Sequence, residues 1–96
     1  MDLLVTYDIA TSTRQGERRL SNVAKVCEGF GVRVQYSVFE CRLSVAAVEK
    51  LRVALLEIID PDEDSVRIYR MNGDISGCRE TLGFSRPWSA DSSWIL

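Results

Sequence analysis

The sequence predicts an α+β sandwich in which two amphipathic helices cover one face of an antiparallel sheet. Three observations carry that prediction. The elements read in the order β-α-β-β-α-β. Two segments have a helical apolar stripe while those between them alternate or run apolar, and glycine, Asn-Gly or Asp-Pro punctuates the joins. At 96 residues the chain is one domain, near the small end for burying its own core, so a second copy is expected to complete it. A hydrophobic share of 46% with 27% charged residues places it among globular proteins and not disordered ones.

The first strand lies within Met1 to Ala10, where Leu3, Leu4, Val5, Tyr7 and Ile9 are β-formers and few side chains are polar. Thr13 or Ser12 is placed to cap a helix from Arg14 to Glu28, whose Leu20, Val23, Ala24 and Cys27 share one face. Gly29 and Gly31 are expected to end it. Val32 to Leu43 is extended, but the alternation loses phase around Gln35-Tyr36-Ser37, which predicts two strands joined by a tight turn. Ser44 caps a second helix, Val45 to Ile59, with Val48, Leu51, Leu55, Ile58 and Ile59 as its stripe. Asp60-Pro61 stops that helix, and the acidic run to Asp64 is a loop.

Ser65 to Met71 is the last core strand, Val66 and Ile68 facing one way and Arg67 and Tyr69 the other, before an Asn72-Gly73 turn. This order is that of a ferredoxin-like fold. It leaves one sheet face bare, for which Tyr7, Leu4 and Tyr69 are the expected residues. Cys78 to Leu82 is a further short strand. Residues 1–84 form the domain and 85–96 a tail, whose tryptophans, Trp88 and Trp94, suit it to docking or mark it as a frayed end.

Several functions are excluded by composition. Without a single histidine, Ser-His-Asp and Cys-His catalysis and His-ligated zinc are impossible. Cys27, Cys41 and Cys78 are odd in number with no CxxC spacing, so buried free thiols are expected instead of a disulfide framework or zinc site. No apolar run reaches the length of a membrane span, and the cytoplasm is the expected compartment. Hydrolysis by such a chain needs a metal held by carboxylates. Asp8, at the end of the first strand, is either a turn or capping residue or the metal ligand of such a site.

The net charge of −2 hides an asymmetry. Residues 14–33 carry five bases (Arg14, Arg18, Arg19, Lys25 and Arg33) against two acids, a local +3, while residues 34–64 carry seven acids against three bases, a local −4. Ten of the twelve bases are arginine, the side chain suited to gripping phosphate with two parallel hydrogen bonds. The cluster reads either as a solvated helix face or as a nucleic-acid patch.

The strand-terminal TYDI, the downstream RRL, the stretch GVRVQYSVFECRL and the later DEDSVRIYRM resemble the Cas-two family, small CRISPR-associated endonucleases of the adaptation machinery, over about residues 1–84. The resemblance implies a ferredoxin-like homodimer with a C-terminal strand crossing to the partner's sheet. It also implies a divalent ion, Mg2+ or Mn2+, held by Asp8, and metal-dependent hydrolysis of RNA or DNA; a two-fold axis near the strand ends would bring Asp8 and its symmetry mate together around that ion. Arg14, Arg18, Arg19 and Arg33 are the expected nucleic-acid contacts, with Tyr7, Ser37 and Phe39 supporting the site. The competing role is that of a non-catalytic DNA-binding scaffold bridging dimers of the Cas-one integrase during spacer acquisition.

Overall fold

A computed structural model of the chain describes residues 1–83. Strand β1 (Asp2–Asp8) leads into helix α1 (Arg14–Phe30), strands β2 (Val32–Gln35) and β3 (Val38–Arg42), helix α2 (Val45–Ile58) and strand β4 (Ser65–Arg70). The sheet runs β2-β3-β1-β4 and is antiparallel at every pairing, which is the ferredoxin-like order. The expected tail, 85–96, lies outside the described residues.

Strand β1 is central because its neighbours on both sides are long enough to pair along it. Leu3 and Val5 sit opposite Cys41 and Phe39 of β3, and opposite Arg70 and Ile68 of β4. Leu3, Val5, Tyr7, Phe39 and Cys41 point to one face, where Val23 and Cys27 of α1 and Val48, Leu51 and Leu55 of α2 meet them. Removing a side chain such as Phe39 or Leu51 from water contributes about 1.5–3 kcal/mol. Both helix starts are capped as the sequence predicts: the Thr13 and Ser44 hydroxyls accept from the Gly16 and Ala47 amides.

Four expectations need correction. Tyr7 does not face the bare side of the sheet with Leu4 and Tyr69. Its phase is that of Leu3 and Val5, so it is buried and its ring stacks on Phe39 at 6.2 Å between centroids. Cys27 and Cys41 are buried, and burial pushes the Cys27 thiol up to about 12, but Cys78 is exposed. Helix α1 continues past Gly29 to Phe30. Gly31 then caps it in an extended conformation, and its lack of a side chain lets the backbone lie against Cys41 and the Glu40 carbonyl. Cys78 to Leu82 form no strand within the chain. After β4 a 3-10 turn at Ile75–Gly77 is followed by an irregular segment whose Arg79 pairs with Glu40 of β3 at 3.1 Å. The segment lies over the bare sheet face, beside Val32, Val34 and Glu40, and not along the free edge of β2 or β4, so it meets no strand to pair with.

That turn is tied to the start of the sheet by Asp2, a buried acid. Its carboxylate accepts from Arg42 Nε at 2.8 Å, Arg42 Nη2 at 3.0 Å and the Ile75 amide at 2.7 Å. The Arg42 guanidinium, then the Ile75 amide, holds the Asp2 carboxyl far below the usual carboxylate range.

The first turn of α1 presses on the loop that follows β1. A methyl at Gly16 would run into the Ala10 carbonyl oxygen. Helix propensity alone favours alanine over glycine by about 1 kcal/mol, less near a helix end. Overpacking against a backbone atom costs about 1–3 kcal/mol. The clash wins, so Gly16→Ala is expected to lower the melting temperature by several degrees. An alanine variant that melts at or above the wild type would show that the loop is not held there.

Candidate functional site

Asp8 ends β1 on the bare face of the sheet, in phase with Leu4 and Thr6 and opposite Ser65 of β4. Its side chain is exposed. Among the described residues it makes no hydrogen bond or ion pair. The other acids near the ends of β1 are occupied. Asp2 is held by Arg42, and Asp64 has a side chain with 0% exposure, fully enclosed by donors.

Asp64 fixes the loop that follows Asp8. Its Oδ1 accepts from the Ala10 amide at 3.0 Å, and its Oδ2 accepts from the Asp60 amide at 2.9 Å and from Arg19 Nε at 2.7 Å. The Arg19 guanidinium, opposed by burial, holds the Asp64 carboxyl below its ordinary range. On the other side, the Tyr7 amide donates to the Ser37 carbonyl at 3.1 Å, and the Tyr7 hydroxyl donates to the Tyr36 carbonyl at 3.2 Å. The end of β1 is therefore clamped from both flanks, while the carboxylate it carries is left to solvent. Burial raises the Tyr7 pKa, which keeps the hydroxyl a donor.

The residues expected to bind nucleic acid divide into two pairs. Arg14 and Arg18 lie one turn apart on α1 and are exposed, so they share a face that a phosphate chain can reach. Arg19 is turned inward to Asp64, and its guanidinium is raised above its ordinary pKa by that carboxylate. Arg33 packs its guanidinium 5.1 Å above the Phe39 ring, and its Nη2 donates to the Tyr7 hydroxyl at 3.4 Å. Those two arginines have structural positions in this chain. Of the supporting residues, Ser37 contributes its carbonyl, and Phe39 is fully buried beneath Tyr7 and does not line the surface.

A groove of about 510 Å³ runs beside Asp8 between β1 and β4, and Thr6, Arg67 and Tyr69 line it. Arg67 is a further residue at the site, one that the sequence does not mark. The alternation of β4 already set it beside Tyr69, but placing both next to Asp8 needs the β1–β4 register. A larger groove of about 590 Å³ lies elsewhere on the same face, over Val32, Val34 and Val38, bordered by the Arg79–Glu40 pair.

A divalent ion can be tested against this donor set. The described residues of one chain hold no group of three metal-ligating side chains. One solvent-facing carboxylate with no protein partner does suit magnesium, which keeps several waters and takes one or two carboxylates together with substrate phosphates. The donor set fits such an ion when a second copy or a phosphate chain completes it.

Comparisons with known proteins give a consistent result. Residues 1–75 match the family model of CRISPR associated protein Cas2. The chain is 52% identical over its full length, and over the full length of the relative, to the CRISPR-associated endoribonuclease Cas2 1 of Moorella thermoacetica. It is 42% identical to the CRISPR-associated endonuclease Cas2 of Halalkalibacterium halodurans over 86% of each chain. The crystal structure of Streptococcus pyogenes Cas2 superposes with a TM-score of 0.78 at 44% identity, over 86% of this chain and all of that one. A hypothetical protein from Thermus thermophilus superposes with a TM-score of 0.73 at 33% identity, over 91% of this chain and 96% of the other. No helix among the described residues is long and apolar enough to cross a membrane.

Proposed function

Because the chain belongs to the CRISPR-associated Cas2 family, we propose that it is a homodimeric, metal-dependent endonuclease of CRISPR adaptation, cutting phosphodiester bonds at a site built on Asp8. The observation that carries this reading is the contrast among the acids. Asp2 and Asp64 each satisfy several donors, whereas Asp8, held in place by its neighbours, satisfies none among the described residues. An ionised group kept rigid and unpaired is positioned for a ligand.

Two copies meeting about a two-fold axis would bring the two Asp8 side chains to one cleft, since a symmetric interface uses the same patch twice. Leu4, Val32 and Tyr69 on the bare sheet face supply apolar surface for such a contact, the latter two well exposed. The two carboxylates would hold a magnesium or manganese ion, which when bound supplies charge stabilisation at the phosphate and activation of water. Asp8 orients that centre. Tyr7 and Ser37 keep Asp8 at its angle through the strand-end hydrogen bond, and Arg14 and Arg18 hold the flanking backbone with little sequence preference.

The test is a cleavage panel on single-stranded RNA, single-stranded DNA and duplex DNA, with magnesium and with chelator, for wild type and Asp8→Asn. Cleavage that persists in chelator or in the variant rejects the reading. Spacer acquisition retained by a cleavage-dead Asp8→Asn variant would instead assign the protein the bridging role between Cas-one dimers.

A further inference from the structure

Asp2 belongs by phase to the bare face of the sheet, with Leu4 and Thr6, yet it is only 6% exposed. The segment that follows β4 covers it. The Met71 amide donates to the Asp2 carbonyl at 2.9 Å, and the Ile75 amide donates to its carboxylate at 2.7 Å. From there residues 74–82 run over β1 and β3 as a belt that reaches Val32 and Val34 of β2.

Two ion pairs fasten the belt to β3. Arg42 Nη2 lies 3.0 Å from Asp74 Oδ1, and Arg79 Nε lies 3.1 Å from Glu40 Oε2. Arg42 and Glu40 stand two residues apart on one face of the strand, a spacing of about 7 Å. The polarity alternates: a strand base meets a belt acid, then a strand acid meets a belt base. A belt laid the other way would set Arg79 against Arg42 and Asp74 against Glu40, and like charges so opposed repel. The pairs therefore fix the direction of the belt as well as its place. They differ in strength. Arg42 also grips the buried Asp2 with two hydrogen bonds, whereas the Arg79–Glu40 pair is partly open to water and screened by it.

We propose that Arg42 and Glu40 are positioning residues for the composite site: they hold the belt across the sheet, so that a second copy meets a surface already formed. This rests on the homodimer reading above. A belt ordered beforehand has already given up its conformational freedom, and the second copy binds without the cost of ordering it.

Two measurements on the full chain test this. Sedimentation across a dilution series reads dimer affinity, and amide hydrogen exchange by NMR at Ile75, Gly77 and Cys78 reads the belt. The variants are Glu40→Arg, Arg79→Glu and the two combined, with Asp74→Asn at the other anchor. Asparagine caps a helical turn as well as aspartate does, so Asp74→Asn removes only the charge that faces Arg42. Each single change is expected to speed exchange severalfold and to weaken the dimer about fivefold. The combined exchange is expected to restore most of both, because the pair re-forms with its signs reversed. Single changes that leave exchange at the wild-type rate overturn the proposal, as does a combined variant no better than the worse single one. Faster exchange with unchanged dimer affinity overturns the positioning role and leaves the dimer reading intact. A wild type that is monomeric at every concentration defeats the dimer reading itself, and the positioning role with it.

Discussion

Asp8→Asn is expected to abolish ion-dependent cleavage while the protein stays folded. The substitution keeps the shape of the side chain and removes its charge. Charge stabilisation by a bound divalent ion contributes several kcal/mol to hydrolysis, and each 1.36 kcal/mol is a factor of ten, so a loss of about a thousandfold or more is expected. Stability should barely move. Asp8 has no partner among the described residues and is exposed, and substitutions at such positions stay within about 0.5 kcal/mol, a few degrees in melting temperature at this size. A paired acid would behave otherwise. The same variant has a second signature. Two carboxylates drawn into one cleft repel when no cation lies between them. In chelator the wild-type dimer should therefore dissociate at higher protein concentration than the Asp8→Asn dimer, and magnesium should reverse the order. Sedimentation across a dilution series reads this directly. Equal dimer affinities in chelator would mean the two Asp8 side chains never meet, and cleavage would need another explanation.

Much of this architecture was legible in the chain because it is local. The stripes of both helices, the Thr13 and Ser44 caps and the alternation of β4 are relations between residues within two turns of one another. Tyr7 shows a local signal misread: it lies three residues from Leu4, an odd number, so a strand must put the two on opposite faces. Arg19 and Arg33 show the reverse case. Helical phase sets Arg19 beside the Val23–Cys27 stripe and Arg18 away from it, but the partner that occupies Arg19 is a carboxylate 45 positions away in a run that reads only as an acidic loop. Arg67 likewise acquires its meaning from the register of β4 against β1. Pairings of that kind depend on how strands meet, and composition does not record them.

Asp64 is a polar residue whose loss should be felt strongly in stability, through the same hidden pairing. Asp64→Asn is the informative change. In the wild type Oδ1 faces the Ala10 amide and Arg19 Nη2, and Oδ2 faces the Asp60 amide and Arg19 Nε, so both oxygens meet two donors. An asparagine turned either way points its NH2 at two donors and leaves them unmet. Removing one partner of a buried pair costs about 3 kcal/mol at the low end, and the low end applies because Arg19 keeps 19% of its side chain exposed. That corresponds to a fall of about 12–24 °C in melting temperature for a domain of this size. Arg19→Met added to Asp64→Asn should recover only part of the loss, since the Ala10 and Asp60 amides still want acceptors. The pH dependence has a definite sign. The Asp64 carboxyl is held below its unfolded value of 3.8, so its contribution is fully present above that pH and is lost as pH falls through the folded value. The stability gap between wild type and Asp64→Asn, measured by urea unfolding, should therefore be widest near neutrality and close below about pH 4. Cleavage should fall too, because the loop anchored at Ala10 begins two residues after Asp8. A variant that melts within two or three degrees of wild type, or a gap that widens in acid, would show that Asp64 does not hold the end of β1.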